Sequence, residues 1–160
     1  MEVLIQERKT KTNYETSGMY IEATRIIFEN CLPDYLLSSE FYENLTVFLK
    51  LMTTEEGSFF IEIEKGVITI FLPKGKDPLT ILSFLAHEIV HVRQYLTGDL
   101  EEMGDGTSMR WKGNLFLDFE TNYEYNLLPW EVEAFQTEKE LLKIVVDLLI
   151  EGFVYGHESI

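Results

Sequence analysis

The stretch at residues 78–96 constrains this chain most, because it carries the motif HEIVH, residues 87–91, inside an apolar run at helical spacing. Two histidines four residues apart project from one helix face about a turn apart, so their ring nitrogens can converge on one metal ion. Neutral imidazoles suit zinc, and a nearby carboxylate can take a proton from a water that zinc activates. The motif predicts His87 and His91 as metal ligands and Glu88 as general base.

A structural histidine pair on an ordinary helix is the alternative interpretation of so short a motif. The chain has three histidines, and two of them fall in this motif. The apolar flanks indicate that this is the most buried helix of the protein. Buried histidines and a buried carboxylate need partners, and a metal ion supplies one. These observations favour the metal site.

The length of 160 residues suits one domain with a substantial core, so we expect residues 1–160 to form a single domain. With 46% hydrophobic and 26% charged residues, the composition is that of an ordinary globular protein. Residues 1–17 are polar and charged, and we expect a loose arm or one short edge strand there.

The net charge of −15 bears on the partners of the chain. Such a surface repels phosphate backbones, so we expect no direct nucleic-acid binding and a preference for basic or neutral partners. An acidic protein can also imitate DNA. A binding or inhibitor protein of the viral DNA-mimic kind, with a structural or vestigial zinc site, is therefore the alternative function.

Cellular location is predicted from what the chain lacks. The single cysteine, Cys31, excludes an internal disulfide and is interpreted as a small buried hydrophobe. We find no signal peptide at the start of the chain and no apolar run long enough to span a membrane. We expect a cytoplasmic protein, of a bacterium or of a phage-infected host.

Hydrophobic spacing and turn residues predict the main elements. Helices are expected at residues 19–30 with Ser17 as cap and Pro33 beyond the end, from Pro78 to Gly98 with Asp77 as cap, and from Pro129 to about residue 150. Three antiparallel strands are expected at residues 45–51, 58–64 and 67–72. Residues 36–41 are a turn or short helix, 100–109 a mobile acidic loop, and 110–112 and 115–119 short extended pieces.

A catalytic zinc site normally has three protein ligands and an open fourth position, so one more ligand is needed. A metzincin arrangement is excluded, because Gln94 and Thr97 stand where it requires glycine and histidine. The other option is a glutamate from a later helix. The segment PWEVEA, residues 129–134, begins such a helix.

The block LAHEIVHVRQ, together with PWEVEA, resembles the small gluzincin-type metallopeptidase domains found among bacterial and phage proteins. The resemblance covers residues 80–94 and 128–135 and leaves residues 1–44 uncovered. It implies a zincin-like α+β fold, with a small antiparallel or mixed sheet of three to five strands packed on the HExxH helix and a C-terminal helix. It also implies a zinc-dependent peptidase with Glu131 as third ligand and Ala134 as the small residue between the helices.

The remaining alternatives concern the surroundings of this site. Glu133 is the other candidate ligand, although helical periodicity favours Glu131. Alternatively, neither glutamate binds metal, and both are acidic residues of a first helical turn that interact favourably with the helix dipole. Related gluzincins carry Asp or Asn where this chain has Phe135. Either another acid orients a ligand histidine, with Asp105, Asp118 and Glu138 as candidates, or the metal is held less firmly.

The expected reaction is hydrolysis of a peptide or protein substrate. Tyr123, Tyr125 and His157 are candidate donors to the oxyanion, with packing or surface roles as the alternative for each, and Tyr95 is expected to pack. A peptide would most simply add as a strand to a sheet edge beside the metal helix. Hydrolysis of another carbonyl compound is a third possibility, and the oligomeric state is left open.

Overall fold

A computed structural model describes the backbone of residues 1–6 and 14–158 and the side chains of residues 1–6 and 17–152. The strands are β1 Glu2–Gln6, β2 Thr46–Met52, β3 Ser58–Glu62, β4 Val67–Pro73, β5 Leu100–Glu102, β6 Met109–Trp111 and β7 Asn114–Phe116. The helices are α1 Tyr14–Cys31, α2 Asp34–Leu37, α3 Glu40–Glu43, α4 Pro78–Thr97, α5 Phe119–Asn122 and α6 Pro129–Glu158, with a 3₁₀ turn at Tyr125–Leu127. The expected α+β class is confirmed.

The larger sheet has four strands in the order β1-β2-β4-β3. β3 runs antiparallel to β4 as predicted, whereas β2 is parallel to β4, so the prediction of three antiparallel strands is wrong for that pair. Burial explains the order: Ile68 and Ile70 of β4 are fully buried, which suits an inner strand. β3 carries the exposed Phe60 and is therefore placed at the edge, beyond β4.

Local signals at both ends of α4 confirm its predicted bounds. The Asp77 side chain accepts a hydrogen bond from the backbone N–H of Thr80 at 3.2 Å, and Pro78 occupies the first turn. Gly98 ends the helix in the left-handed conformation, with a φ of 80°. α4 contacts α1, α6, β3 and β4, so both of its histidines lie in the interior.

The N-terminal third departs from the sequence predictions at the start of its first helix. β1 forms one edge of the sheet, so the first residues adopt the short edge strand that was one of the two predictions for residues 1–17. Residues 7–13 lie outside the described residues. α1 begins at Tyr14, so Ser17 lies within the helix and is not its cap. Residues 36–41 contribute to the short helices α2 and α3.

A second sheet, in the order β5-β6-β7, occupies the region predicted to be a mobile acidic loop. That prediction is wrong for Leu100–Glu102, which pairs with β6. The turn between them is organised by Asp105, whose carboxylate accepts hydrogen bonds from the backbone N–H groups of Thr107 and Ser108 at 3.0 and 2.9 Å. The expected extended piece at 110–112 largely coincides with β6, whereas residues 115–119 divide between β7 and the start of α5.

α6 begins at Pro129 as expected and continues to Glu158, beyond the predicted end near residue 150. Ala134 and Val145 are fully buried on the face that meets α1 and α4. Because the side chain of Ala134 ends at Cβ, α6 can approach α4 closely near Glu131. Among the described residues, every helix is too short or too polar to cross a bilayer.

Candidate metal centre

Three buried side chains from two helices converge on one point: His87 and His91 from α4, and Glu131 from the first turn of α6. The two Nε2 atoms lie 3.1 Å apart, His87 Nε2 lies 3.1 Å from Glu131 Oε2, and His91 Nε2 lies 3.1 Å from Glu131 Oε1. Among the described residues, this is the His, Cys and carboxylate cluster compact enough to hold a metal ion.

Glu131, and not Glu133, faces the two histidines. Glu133 projects from a different face of α6, where it accepts from the guanidinium of Arg93 at 2.5 Å and lies 3.6 Å from the Lys112 ammonium. These cations, with a hydrogen bond from Gln94, hold the pKa of Glu133 below its usual range against the raising effect of burial. Glu133 therefore connects α6 to α4 and β6, while Glu131 enters the cluster.

The fully buried Gln94 determines which nitrogen of His91 carries its proton. The Gln94 amide nitrogen donates to the backbone carbonyl of Trp130 at 3.0 Å, and a carbonyl can only accept. The amide oxygen therefore faces Nδ1 of His91, 2.8 Å away, and Nδ1 must be the protonated nitrogen that donates to it. Nε2 of His91 is left with its lone pair directed into the cluster.

Glu138 has the same effect on His87. Nδ1 of His87 donates to Glu138 Oε2 at 2.9 Å, so Nε2 of this ring also points its lone pair into the cluster. Three acids were candidates to orient a histidine of the cluster, because position 135 holds phenylalanine and not an acid. Glu138 is the one that does so in the structure. Phe135 packs on the His87 ring, with ring centroids 4.7 Å apart.

The other two acids serve elsewhere. Asp105 organises the turn before β6, and backbone hydrogen bonds from Thr107 and Ser108 lower its pKa. Asp118 precedes α5 in the left-handed conformation, with a φ of 44°. Neither acid appears among the hydrogen-bond partners that the described residues give to the ligand histidines.

The donor set fits a divalent cation. With both Nδ1 atoms protonated, two imidazole lone pairs and an ionised carboxylate face one another at about van der Waals distance or less. Three acceptors in a buried site repel one another unless a proton or a metal cation lies among them. Two histidines and a glutamate are also a ligand set of catalytic zinc sites.

In the protein without metal, a proton partly takes the place of the cation. Burial alone lowers the pKa of His87, but hydrogen bonds to the carboxylates of Glu131 and Glu138 outweigh it and raise that pKa to about 9. Burial likewise raises the pKa of Glu131, but its close contacts with the His87 and His91 rings reverse this and lower it to about 2. The site therefore holds positive charge next to an ionised carboxylate at neutral pH.

Glu88 lies beside this cluster in a pocket of about 570 Å³ and is not one of the three converging groups. Glu88 is 6% exposed, and burial raises the pKa of its carboxyl group to about 6 although the charges of His91 and His87 oppose this. His91 and Glu131 line the same pocket, so a molecule that enters it reaches both the candidate ligands and Glu88. A carboxyl group with this pKa can accept and return a proton near neutral pH.

The residues predicted as possible donors to the oxyanion occupy different places in the structure. Tyr125 lines the pocket, and a hydrogen bond with Glu131 contributes, after burial, to a pKa raised above the usual range. Tyr123 packs instead against Phe116, with ring centroids 5.3 Å apart. The side chain of His157 lies outside the described residues. Tyr95 packs on Phe59 as expected, although it also reaches the pocket.

Sequence reasoning did not include Gln94 among the site residues. It had been considered only as the residue that excludes a metzincin arrangement. The available signal is its position three residues after His91, which places both side chains on one face of α4. Only the carbonyl of Trp130, supplied by α6, explains why the residue is a glutamine.

Comparisons with family models, with curated proteins and with solved structures found no match for this chain.

Proposed function

We propose that this protein is a zinc-dependent metallopeptidase with a zincin-like fold of the gluzincin kind. The convergence of His87, His91 and Glu131 beside Glu88, at the wall of an open pocket, is the observation that supports it. The mixed sheet, the helix with both histidines and the closing helix with the glutamate also support the proposal.

His87, His91 and Glu131 would hold the ion. Zinc bound by two imidazoles and one carboxylate lowers the pKa of water and polarises a carbonyl group. Gln94 and Glu138 keep both rings in the tautomer and orientation that direct Nε2 to the ion. The positive charge of the ion also replaces the proton that His87 otherwise retains.

Glu88 is the general base in this proposal. Its pKa of about 6 leaves it mostly ionised at neutral pH, so it can take a proton from the water that attacks the scissile carbonyl. The carboxyl group then returns this proton to the departing amine as the carbon–nitrogen bond breaks. The same group serves both steps because its pKa lies near the working pH.

Tyr125 is the proposed hydrogen-bond donor to the oxyanion. Burial and the nearby charge of Glu131 keep its phenol protonated across the neutral range, so it remains a donor. It borders the pocket together with Glu131 and Glu88. A donor that is already in place when negative charge develops on the carbonyl oxygen lowers the barrier.

The edge of β3 is the proposed place of the substrate backbone. β3 is the last strand of its sheet, and Ser58, Phe59 and Ile61 line the pocket. The Phe59 ring stacks on His91, with centroids 6.2 Å apart. A peptide that adds to β3 as a further strand would pass directly beside the candidate metal ligands.

Elemental analysis and proteolysis of Glu88→Gln against the parent protein test this function. We expect one zinc per chain in both proteins, and a loss of peptide hydrolysis of at least about 100-fold in Glu88→Gln. Glu140→Gln, which removes the same charge at an exposed position of α6, is the matched control and should cleave like the parent. Equal hydrolysis by Glu88→Gln and the parent would contradict the proposal.

The acidic binding or inhibitor protein is separated by the same experiment. Zinc retained in both proteins, with no hydrolysis of a diverse peptide library, favours a structural zinc site. Hydrolysis of small esters or amides without hydrolysis of peptides favours a non-peptide substrate.

A further inference from the structure

A continuous wall connects the candidate metal centre to a carboxylate at the far side of the pocket. The Phe59 ring stacks on His91 and contacts Tyr95, whose ring centroid lies 5.5 Å from that of Phe59. The Tyr95 hydroxyl in turn donates to Oε1 of Glu102 at 3.4 Å. All four residues line the pocket, so they form one path along it.

This path has an apolar middle and an acidic end. Phe59 and Leu96 supply carbon surface next to Tyr95, while Glu102 is exposed on β5. Glu102 is also the lining acid that belongs neither to the candidate metal ligands nor to the proposed general base. A long side chain with an aliphatic stem and a cationic head matches this sequence of surfaces.

The charges around the pocket also favour a ligand with a cationic head. None of the described residues that line the pocket is Lys or Arg, so no cation of the protein itself competes for Glu102 there. Tyr95 shares a hydrogen bond with Glu102 and limits where its carboxylate can lie. The net charge of −15 further attracts basic segments over distance.

We propose that Glu102, with Tyr95 as its positioning residue, is a specificity determinant that selects an arginine or lysine side chain near the scissile bond of the substrate. This inference rests on the proposed peptidase function, since it names the substrate class of that same site. It assigns to β5, in the second sheet, a direct contact with substrate.

Matched peptides that differ in one side chain provide the test. The zinc-loaded full chain is first given a peptide library, and each cleaved sequence is then made with arginine, lysine, citrulline or norleucine at the same position. Citrulline has the shape of arginine without its charge. We expect kcat/KM to be about fivefold higher for arginine than for citrulline at physiological ionic strength, which corresponds to one partly exposed ion pair.

The variant Glu102→Gln should abolish this preference, so that the arginine and citrulline peptides are hydrolysed with equal kcat/KM. Glu101→Gln is the matched control, because Glu101 neighbours Glu102 on β5, points to the opposite face and lies 3.8 Å from Arg110. It removes the same charge and should keep the preference. An equal preference in Glu102→Gln and the parent would overturn the inference, as would equal rates for arginine and citrulline in the parent.

A binding measurement keeps this result separate from the failure of the peptidase proposal. Calorimetry with zinc-loaded Glu88→Gln compares arginine peptides of the library with their citrulline counterparts, whether or not the parent protein cleaves them, with and without the added Glu102→Gln change. Tighter binding of arginine that disappears with Glu102→Gln supports the inference even if no peptide is hydrolysed. Equal binding of the two peptides, or no binding of either, overturns it.

Discussion

The backbone of Gly57 lies against the carboxylate of Glu88, so closely that a Cβ atom at position 57 would come within 3.0 Å of Oε1. The same atom would lie 3.1 Å from Cγ and 3.3 Å from Cδ of Glu88. A Cβ atom at position 57 would therefore require the Glu88 carboxylate to shift along the pocket that it lines. The lack of a side chain at position 57 therefore helps to determine where the proposed general base lies.

Replacing Gly57 by alanine should move the Glu88 carboxylate and reduce kcat by up to about 100-fold, since a misplacement of about 1 Å can cost that much. Zinc content should be unchanged, because the three atoms nearest to that Cβ position all belong to Glu88, which is not one of the candidate ligands. Gly104→Ala is the control, since a Cβ atom there meets nothing within 4 Å. Parent-like turnover by Gly57→Ala would exclude this positioning role.

Replacing Gln94 by leucine should weaken zinc binding by about 10- to 100-fold, because Nδ1 of His91 loses the acceptor that orients the ring. The free energy of unfolding should fall by about 1–3 kcal/mol, since the buried carbonyl of Trp130 loses its donor. Competition with a chelating dye and chemical denaturation measure the two effects. Gln136→Leu, at an exposed position of α6, should change neither, and undiminished zinc affinity in Gln94→Leu would refute the role.

Zinc binding should release a proton at neutral pH. His87 has a pKa of about 9 in the protein without metal, so at pH 7 it is protonated, and a cation among the three ligands must displace that proton. Apparent affinity should therefore rise about tenfold per pH unit from pH 7 until the pH reaches the pKa of His87. Calorimetry in buffers of different ionisation enthalpy counts the protons. A zinc affinity that is independent of pH in this range would show that none of the three candidate ligands carries that proton.

The two tyrosines near the start of α6 provide a matched pair. Tyr125→Phe should lower kcat by about 100-fold while KM and zinc content stay the same, because only the donor to the developing oxyanion is lost. Tyr123→Phe should behave like the parent, since Tyr123 contributes its ring to Phe116 and not its hydroxyl to the pocket. Steady-state kinetics on one cleaved peptide decide between them, and equal effects of the two changes would remove Tyr125 from the proposed mechanism.

Cys31 should react slowly with thiol reagents in the folded protein. Burial raises the pKa of its thiol to about 11, although Arg93 opposes the shift, so the thiolate fraction is very small at pH 8. Labelling with an aromatic disulfide should become fast only after unfolding in guanidinium chloride. Rapid labelling of the native protein at pH 8 would contradict the burial of Cys31.

Much of α4 could be predicted from local sequence. The signals at its two ends each act over a few residues: the carboxylate of Asp77 accepts from Thr80, and the N–H of the left-handed Gly98 donates to Tyr95. The histidine pair depends on the same local geometry, because the helix itself places the two rings on one face. The interpretation of Cys31 as a buried residue is also confirmed.

Strand order depends on contacts between distant residues, and here the prediction was wrong. The alternating residues of β2 and β4 indicate strands in either direction. These two neighbours are parallel because β3 lies beyond β4 and not between β2 and β4. The acidic segment after α4 was misjudged for a related reason. Its short strands form because they pair with each other and cover the cluster that includes Trp111 and Trp130.

The sequence by itself determined the two histidines on one helix face and the glutamate beside them, because a helix relates residues four apart through its own hydrogen bonds. The tertiary structure decided which glutamate of α6 meets them and which groups orient their rings. Glu131, Glu138 and Gln94 acquire these roles through the angle and distance at which α6 crosses α4. That crossing results from the packing of many side chains at once, and no local pattern encodes it.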